Sequence, residues 1–390
     1  MNDICYGLKR ISRSSFVKLC SALGLRVAPS MIANFCVTSK CNMRCRTCTI
    51  GENYLREPGI ADDDLSAEEI RRLFLREASF LRDVNWIQIT GGEPFLRKDL
   101  ARIIGIISET LPRCRIWIAT NGFFTEAIRE VLTSVLNKDI SLGVGVSLHG
   151  TRETHDLYTG VSGSYDRAIN TIGELTALRN IFPRLRVSVG FTLSKDNFRD
   201  LSKAYRISKS LDVDFTFRPT NYSELYYNNR KEDISYGQHI ADIEKEVKTL
   251  IGEMSSEFRI LLSPRKAIRL YYFNGVLKYI GDPGLRRLGC LAGMSSFFLD
   301  AKGNVFPCLG CNKKLGNIRE RNLKDIFASD LARSVQLDIR KGRCSNCWVE
   351  CETYRSIYEN IGVVIFFWVS LIFKNSFPRL FKDRMRNPIL

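Results

Sequence analysis

The chain has 390 residues, 45% hydrophobic and 26% charged. These proportions exclude a disordered or fibrous chain and allow one large domain with a small one, or two to three modest ones. The net charge of +16 favours an anionic partner, but no run of Lys and Arg is long enough for a nucleic-acid arm, so no nucleic acid is expected.

Thirteen cysteines are unevenly spread: three fall within residues 41–48 and six between 290 and 351. Met1 to Pro29 holds no continuous apolar stretch ahead of a small-residue cleavage site, so a cytoplasmic location is expected. Clustered thiols in a reducing compartment point to metal binding rather than disulfides.

In chain order, residues 1–30 read as a short basic helix. Asn34–Thr38 reads as a strand that ends at the first cysteine group. Ser66–Phe80 reads as a helix opened by a capping box of Ser66 and Glu69. Strand-type runs follow at Trp86–Thr90, Arg115–Thr120, Leu142–Leu148, Arg186–Leu193 and Val213–Arg218. Helical stretches at 99–110, 125–137, 164–180 and 197–210 separate them. Six strands alternating with helices imply parallel βαβ units and an α/β fold, a partial (β/α)6 barrel of the TIM type. An open doubly wound sheet is the alternative. In either case chemistry belongs at the carboxyl ends of the strands.

Residues 226–289 read as a helical connector with a helix at 237–254. Residues 290–355 read as a small Cys-rich domain with a hairpin at Ser296–Pro307, turned by Asp300–Gly303. The remaining units are 31–225, the barrel core, and 356–390, an apolar and basic tail.

Cys41, Cys45 and Cys48 form C-x3-C-x2-C directly after the first strand. Three thiolates on one loop can hold three irons of a cubane, whereas a structural zinc site takes four ligands. The alternative is a zinc ion that borrows a remote fourth ligand. One strand later comes Gly91-Gly92-Glu93-Pro94. Its glycines remove side chains where backbone approaches a ligand, and Pro94 fixes the exit.

These motifs together resemble the radical S-adenosylmethionine superfamily, over about residues 34–220. The resemblance implies a SAM cluster, a 4Fe–4S cubane on Cys41, Cys45 and Cys48 whose fourth iron chelates S-adenosylmethionine. It implies reductive cleavage to a 5′-deoxyadenosyl radical that abstracts hydrogen from substrate. It also makes Gly91, Gly92, Glu93 and Pro94 cofactor-binding, through backbone oxygens facing the methionine amino group. Asn121, Ser147, Lys195, Asn197 and Arg218, all at strand ends, join as expected cofactor contacts. His149 and Asp156 are candidates for substrate contact or proton transfer. A flavodoxin- or ferredoxin-type electron donor follows from the same resemblance.

Cys290 and Cys308 bracket Gly303 in C-x12-G-x4-C, and Cys344, Cys347 and Cys351 form C-x2-C-x3-C. This is similar to the SPASM/twitch extensions of the superfamily, in a shortened form. It implies one auxiliary 4Fe–4S cluster on Cys290, Cys308, Cys344 and Cys347, with Cys351 able to replace one of the last pair. Structural zinc is the alternative.

Ile361–Phe373 holds 13 residues without a charge, about 20 Å as a helix and too short to cross a bilayer. The basic residues after it suit peripheral attachment to an anionic membrane surface on its inner face. A core helix is the competing reading. The apolar tail favours a lipid- or sugar-linked substrate. Peptide or protein modification is the alternative, and a non-catalytic iron–sulfur electron-transfer protein the remote one.

Overall fold

The computed structural model describes residues 32–136, 140–229, 234–255, 264–282, 288–344 and 347–376. The basic helix expected over 1–30 lies outside the described residues. Six parallel strands, β1 (Ile32–Cys36), β2 (Trp86–Thr90), β3 (Arg115–Thr120), β4 (Ser141–Ser147), β5 (Arg186–Leu193) and β6 (Asp214–Pro219), lie side by side in chain order. β1 begins and ends two residues earlier than expected. Thr38 and Ser39 leave the ladder because their hydroxyls bind the Asp64 carboxylate, at 2.9 and 2.7 Å.

Alternation along each strand sets what faces where. Ile87, Ile89, Ile116, Ile118, Val144, Val146, Val189, Phe191, Phe215 and Phe217 are buried against the helices. Gln88, Thr90, Trp117, Ser147, Thr192, Thr216 and Arg218 occupy the alternate positions and face the interior. The core is thus a helix-covered outer layer, and the inner face is polar. This is a partial (β/α)6 barrel that does not close.

The Cys-rich segment does not stand apart as expected. Its strand β7 (Ser296–Leu299) pairs in parallel with β1, placing Ile32 opposite Ser296. Strands β8 (Asn304–Phe306) and β9 (Gly316–Asn317) follow antiparallel and complete a nine-stranded sheet. Without β7, β1 would be a bare edge with unpaired N–H and C=O groups. The expected hairpin is present, and Asp300 Oδ1 accepts from the Lys302 and Asn304 amides to form its turn.

Helix Glu350–Glu359 is tied to this edge through Glu352, which is paired within the helix to the buried Arg355. Arg355 Nη1 donates to Glu352 Oε2 at 3.2 Å, with both side chains 1% exposed. Ser296 Oγ donates to the same carboxylate. The terminal helix Ile361–Ser376 then packs Val364 and Phe367 inward, with the Phe367 ring edge-on to Tyr271. Its opposite face exposes Val363, Ile365, Phe366 and Val369. The core-helix reading therefore describes one side of this helix only.

The capping box forms as expected, with Ser66 Oγ accepting from Glu69 N and Glu69 Oε2 accepting from Ser66 N. Arg319, in the Cys-rich part, donates to Glu69 Oε1 at 2.8 Å and to Asp63 at 2.7 Å. Arg319 first, with the Ser66 donors behind it, holds the Glu69 carboxyl down to about 2.

Two predictions follow from these fastenings. Arg355→Met leaves the Glu352 charge buried without its partner and should destabilise the fold by about 3–5 kcal/mol in urea unfolding; adding Glu352→Gln should recover most of that. A double variant no more stable than the single one would assign the loss to packing. The Glu69 contribution is complete above the ordinary carboxyl value of 4.5 and is lost as pH falls through it toward about 2. Glu69→Gln should therefore make stability less steep in pH across that window.

Candidate active site

The first cysteine loop leaves the carboxyl end of β1 and is pinned on two sides. Arg44 N–H donates to Thr159 O at 2.8 Å and Arg46 N–H to Tyr158 O at 3.0 Å, so the end of helix Arg152–Thr159 supports it. From the other side, Thr49 N–H donates to Tyr227 O and Asn229 Nδ2 to Thr47 O. Residues 220–229, which follow β6, thereby reach the cysteine loop that follows β1.

Cys41, Cys45 and Cys48 are free thiols, each half-buried. Burial pushes Cys41 up to about 12 and Cys48 up to about 11, while burial and the charges of the other two raise Cys45. Such thiols ionise only when a cation compensates them. Three such thiols on one loop fit a cluster whose irons take one thiolate each.

The β2 loop lies on the cysteine loop, backbone to backbone. Gly92 N–H donates to Thr38 O at 2.8 Å and Glu93 N–H to Lys40 O at 2.6 Å. A Cβ on Gly92 would lie 2.0 Å from Lys40 O and 2.9 Å from Cys41 Cβ, so only glycine fits. Tyr226 OH donates to Gly91 O at 2.8 Å and accepts from Gly91 N–H at 3.2 Å. The Gly92 carbonyl has no donor among the described residues, which leaves it available to a ligand amine. Tyr226 is a site residue the sequence reading missed, because it lies in an irregular stretch without a motif.

Glu93 is buried and turned away from any ligand. It accepts from Thr120 Oγ1 at 2.8 Å, Asn121 N at 2.7 Å and Phe95 N at 3.1 Å, and burial raises its carboxyl to about 7. It locks the β2 and β3 loops together, with Pro94 starting the short turn Pro94–Leu96 beside it. Asn121 extends the lock by donating to Asn42 Oδ1 at 2.9 Å. Ser147 ends β4 with a hydroxyl that no described residue engages, and Lys195 stands half-buried in the turn after β5.

Two of the expected contacts carry extensive hydrogen bonding within the protein. Asn197 accepts from Ser194 N and Oγ and donates to His149 O and Thr192 O, which uses its whole amide. Asp156 accepts from Gly163 N, Ser164 Oγ and Tyr165 N at the start of helix Ser164–Ile181. His149 is buried against the Tyr158 ring at 4.3 Å, and burial holds its imidazole neutral. Its Nδ1 accepts from Thr192 N–H at 3.2 Å, so its proton sits on Nε2.

In the second constellation none of the six cysteines is in a disulfide. Burial raises the Cys308 thiol, and the charges of Glu352, Cys347, Cys290 and Cys311 act in the same direction. Cys311, which the expected ligand set left out, lies next to Cys308. Its signal was the two-residue spacing from Cys308, which places it in a turn with Cys311 N–H facing Cys308 O. Cys351 stands beside Cys347, and Cys344 is half-buried at the edge of the core. Arg355 Nε and Nη2 are buried without a partner, and the Arg355 charge reaches Cys351. Orphaned donors beside thiols are what cluster sulfur satisfies, so this set also fits a cluster.

The Radical SAM superfamily matches residues 35–206, and the SPASM iron–sulfur cluster-binding domain matches 290–348. The AdoMet-dependent heme synthase of Methanosarcina barkeri is 27% identical over 334 residues, covering 82% of this chain and 88% of its own. A probable GTP 3′,8-cyclase of Saccharolobus islandicus is 26% identical and covers 79% and 86%. The crystal structure of Streptococcus suis SuiB bound to S-adenosylmethionine superposes with a TM-score of 0.59 at 17% identity, over 86% of this chain and 74% of that one. With its three-thiol loop, its glycine cradle and its Cys-rich extension, the chain belongs to the radical SAM superfamily, as a SPASM-bearing enzyme with S-adenosylmethionine, a SAM cluster and auxiliary 4Fe–4S ligation as its cofactors.

Proposed function

We propose that this enzyme abstracts hydrogen from a lipid- or sugar-linked substrate presented at an anionic membrane surface. The observation that carries the reading is the terminal helix. Ile365 and Phe366 are 51% and 63% exposed on its outer face, and Lys374, Arg379, Lys382, Arg384 and Arg386 follow in sequence. Exposed apolar side chains beside basic ones suit attachment to anionic lipid. No described helix is long and apolar enough to cross a membrane, so contact would be peripheral and on the cytoplasmic side. The reducing electron is assigned to an acidic flavodoxin- or ferredoxin-type donor, to which a net charge of +16 is complementary.

When bound, the SAM cluster with S-adenosylmethionine supplies one-electron cleavage to a 5′-deoxyadenosyl radical. The chain holds the cluster through Cys41, Cys45 and Cys48. The Gly92 carbonyl would accept from the methionine amino group. Residues 220–229, with Tyr226 and Tyr227, cover the strand ends and keep water from the interior. The Cys290, Cys308, Cys311 and Cys347 group is the proposed auxiliary set.

A second reading is a tetrapyrrole-type substrate, favoured by the similarity to the heme synthase over most of both chains. Peptide modification draws on fold likeness, to SuiB solved with a precursor peptide and to anSMEcpe solved with a Cp18Cys peptide, each at 16% identity.

Two measurements test the proposal. Cys45→Ala should keep a folded barrel and yield no 5′-deoxyadenosine under dithionite; normal yield would refute the cluster assignment. Ile365→Glu with Phe366→Glu should abolish flotation with phosphatidylglycerol vesicles, because neither side chain is part of the core. Flotation equal to that of the unaltered protein would remove the membrane reading.

A further inference from the structure

Arg218 has no part in the bracing described above. It occupies an interior position on β6, four strands across the sheet from β2. Its charge is felt by Cys48 of the first cysteine loop, and it faces Glu350, the residue before Cys351 of the second. Tyr227, Tyr272 and Tyr158 are its other neighbours. These come from β6, the loop after it, the barrel helices and the Cys-rich part, yet Arg218 keeps 34% of its side chain exposed. Set among so many elements, the side chain is still accessible.

The guanidinium is poorly satisfied. Its one ion pair, with Glu350 Oε2, stands at 3.8 Å, beyond hydrogen-bond distance, and no described residue accepts from it. Thr216 Oγ1 holds the other Glu350 oxygen, which keeps the carboxylate from closing on Arg218. His149 lies within reach of the Arg218 charge, and its Nε2–H has no described acceptor. An enclosed guanidinium presents five N–H donors in a fork that matches a carboxylate or phosphate.

We propose that Arg218 is the anchor for an anionic group of the substrate, a carboxylate or phosphate, held between the two cysteine sites with Glu350 as its competing internal carboxylate. The proposal deepens the substrate reading above and rests on it only for the class of reaction. An anionic group is common to phosphate-linked lipids or sugars and to acidic macrocycles. The methionine carboxylate of S-adenosylmethionine is the other source of such a group. The geometry favours substrate, because Gly92 packs on Cys41 whereas Arg218 stands on β6 against Glu350 of the Cys-rich part.

The test uses the anaerobically reconstituted holoenzyme, with succinate and inorganic pyrophosphate as probes. Their stabilisation of thermal unfolding is titrated, and S-adenosylmethionine affinity is measured in parallel by equilibrium dialysis. Arg218→Gln should weaken the response to at least one probe by about tenfold or more, the loss expected for a charge-assisted contact. Arg218→Lys should restore part of it. Glu350→Gln, which keeps the shape but removes the competing charge, should strengthen the response, an effect of opposite sign that a purely structural role would not give. Affinity for S-adenosylmethionine should stay within about twofold throughout. Probe responses equal in Arg218→Gln and the unaltered enzyme, or none in either, would overturn the proposal. So would a tenfold loss of S-adenosylmethionine affinity in Arg218→Gln, which would assign the residue to the cofactor. Failure of the unaltered enzyme to form 5′-deoxyadenosine would instead strike the reaction class, and is read in a separate assay.

Discussion

The backbone of residues 91–93 rests directly on the backbone of residues 38–40, and the rest of the site is arranged around that contact. Two hydrogen bonds of 2.8 and 2.6 Å join the loops, at an approach that no Cβ would permit at Gly92. Their closeness fixes Cys41 against the carboxyl end of β2. It also spends most of the local N–H groups on carbonyls of the same molecule and leaves the Gly92 carbonyl open. The three half-buried thiols of this loop ionise only once a cation compensates them. The scaffold therefore has to hold the loop unaided. It does so with rigid backbone contacts and with Glu93, whose carboxylate ties the next strand to the same point.

The pairing of β1 with β7 extends that logic to the second cysteine group. One sheet carries both sites, so their relative position follows from strand register and not from a linker. Ser296, by donating to the buried Glu352, ties the helix of Cys351 to the same edge. From the far side of the sheet, Arg218 on β6 reaches Glu350, the residue before Cys351, at 3.8 Å.

Polar residues at strand ends divide into two kinds. Asp156, Asn197 and Glu93 spend their hydrogen-bonding capacity within the protein, and this gives the loops their shape. Ser147, the Gly92 carbonyl and Arg218 keep capacity in reserve. All of them look alike in sequence, as short polar motifs after a strand, and satisfaction of hydrogen bonds is what separates them.

The sequence by itself determined the six βαβ units, the three-thiol loop, the glycine pair and the hairpin, because each rests on a local period, a spacing or a turn chemistry. Strand boundaries at β2 and β3 followed from alternation alone, whereas β1 shifted by two residues because Asp64, far along the chain, captures Thr38 and Ser39. Tertiary structure alone decided that β7 would cover the edge of β1, that the Asp156 and Asn197 side chains would take up hydrogen bonds within the protein, and that Tyr226 would cap Gly91. Each of these depends on partners tens to hundreds of residues away or on which hydrogen bonds are already taken, and neither is encoded in a local pattern.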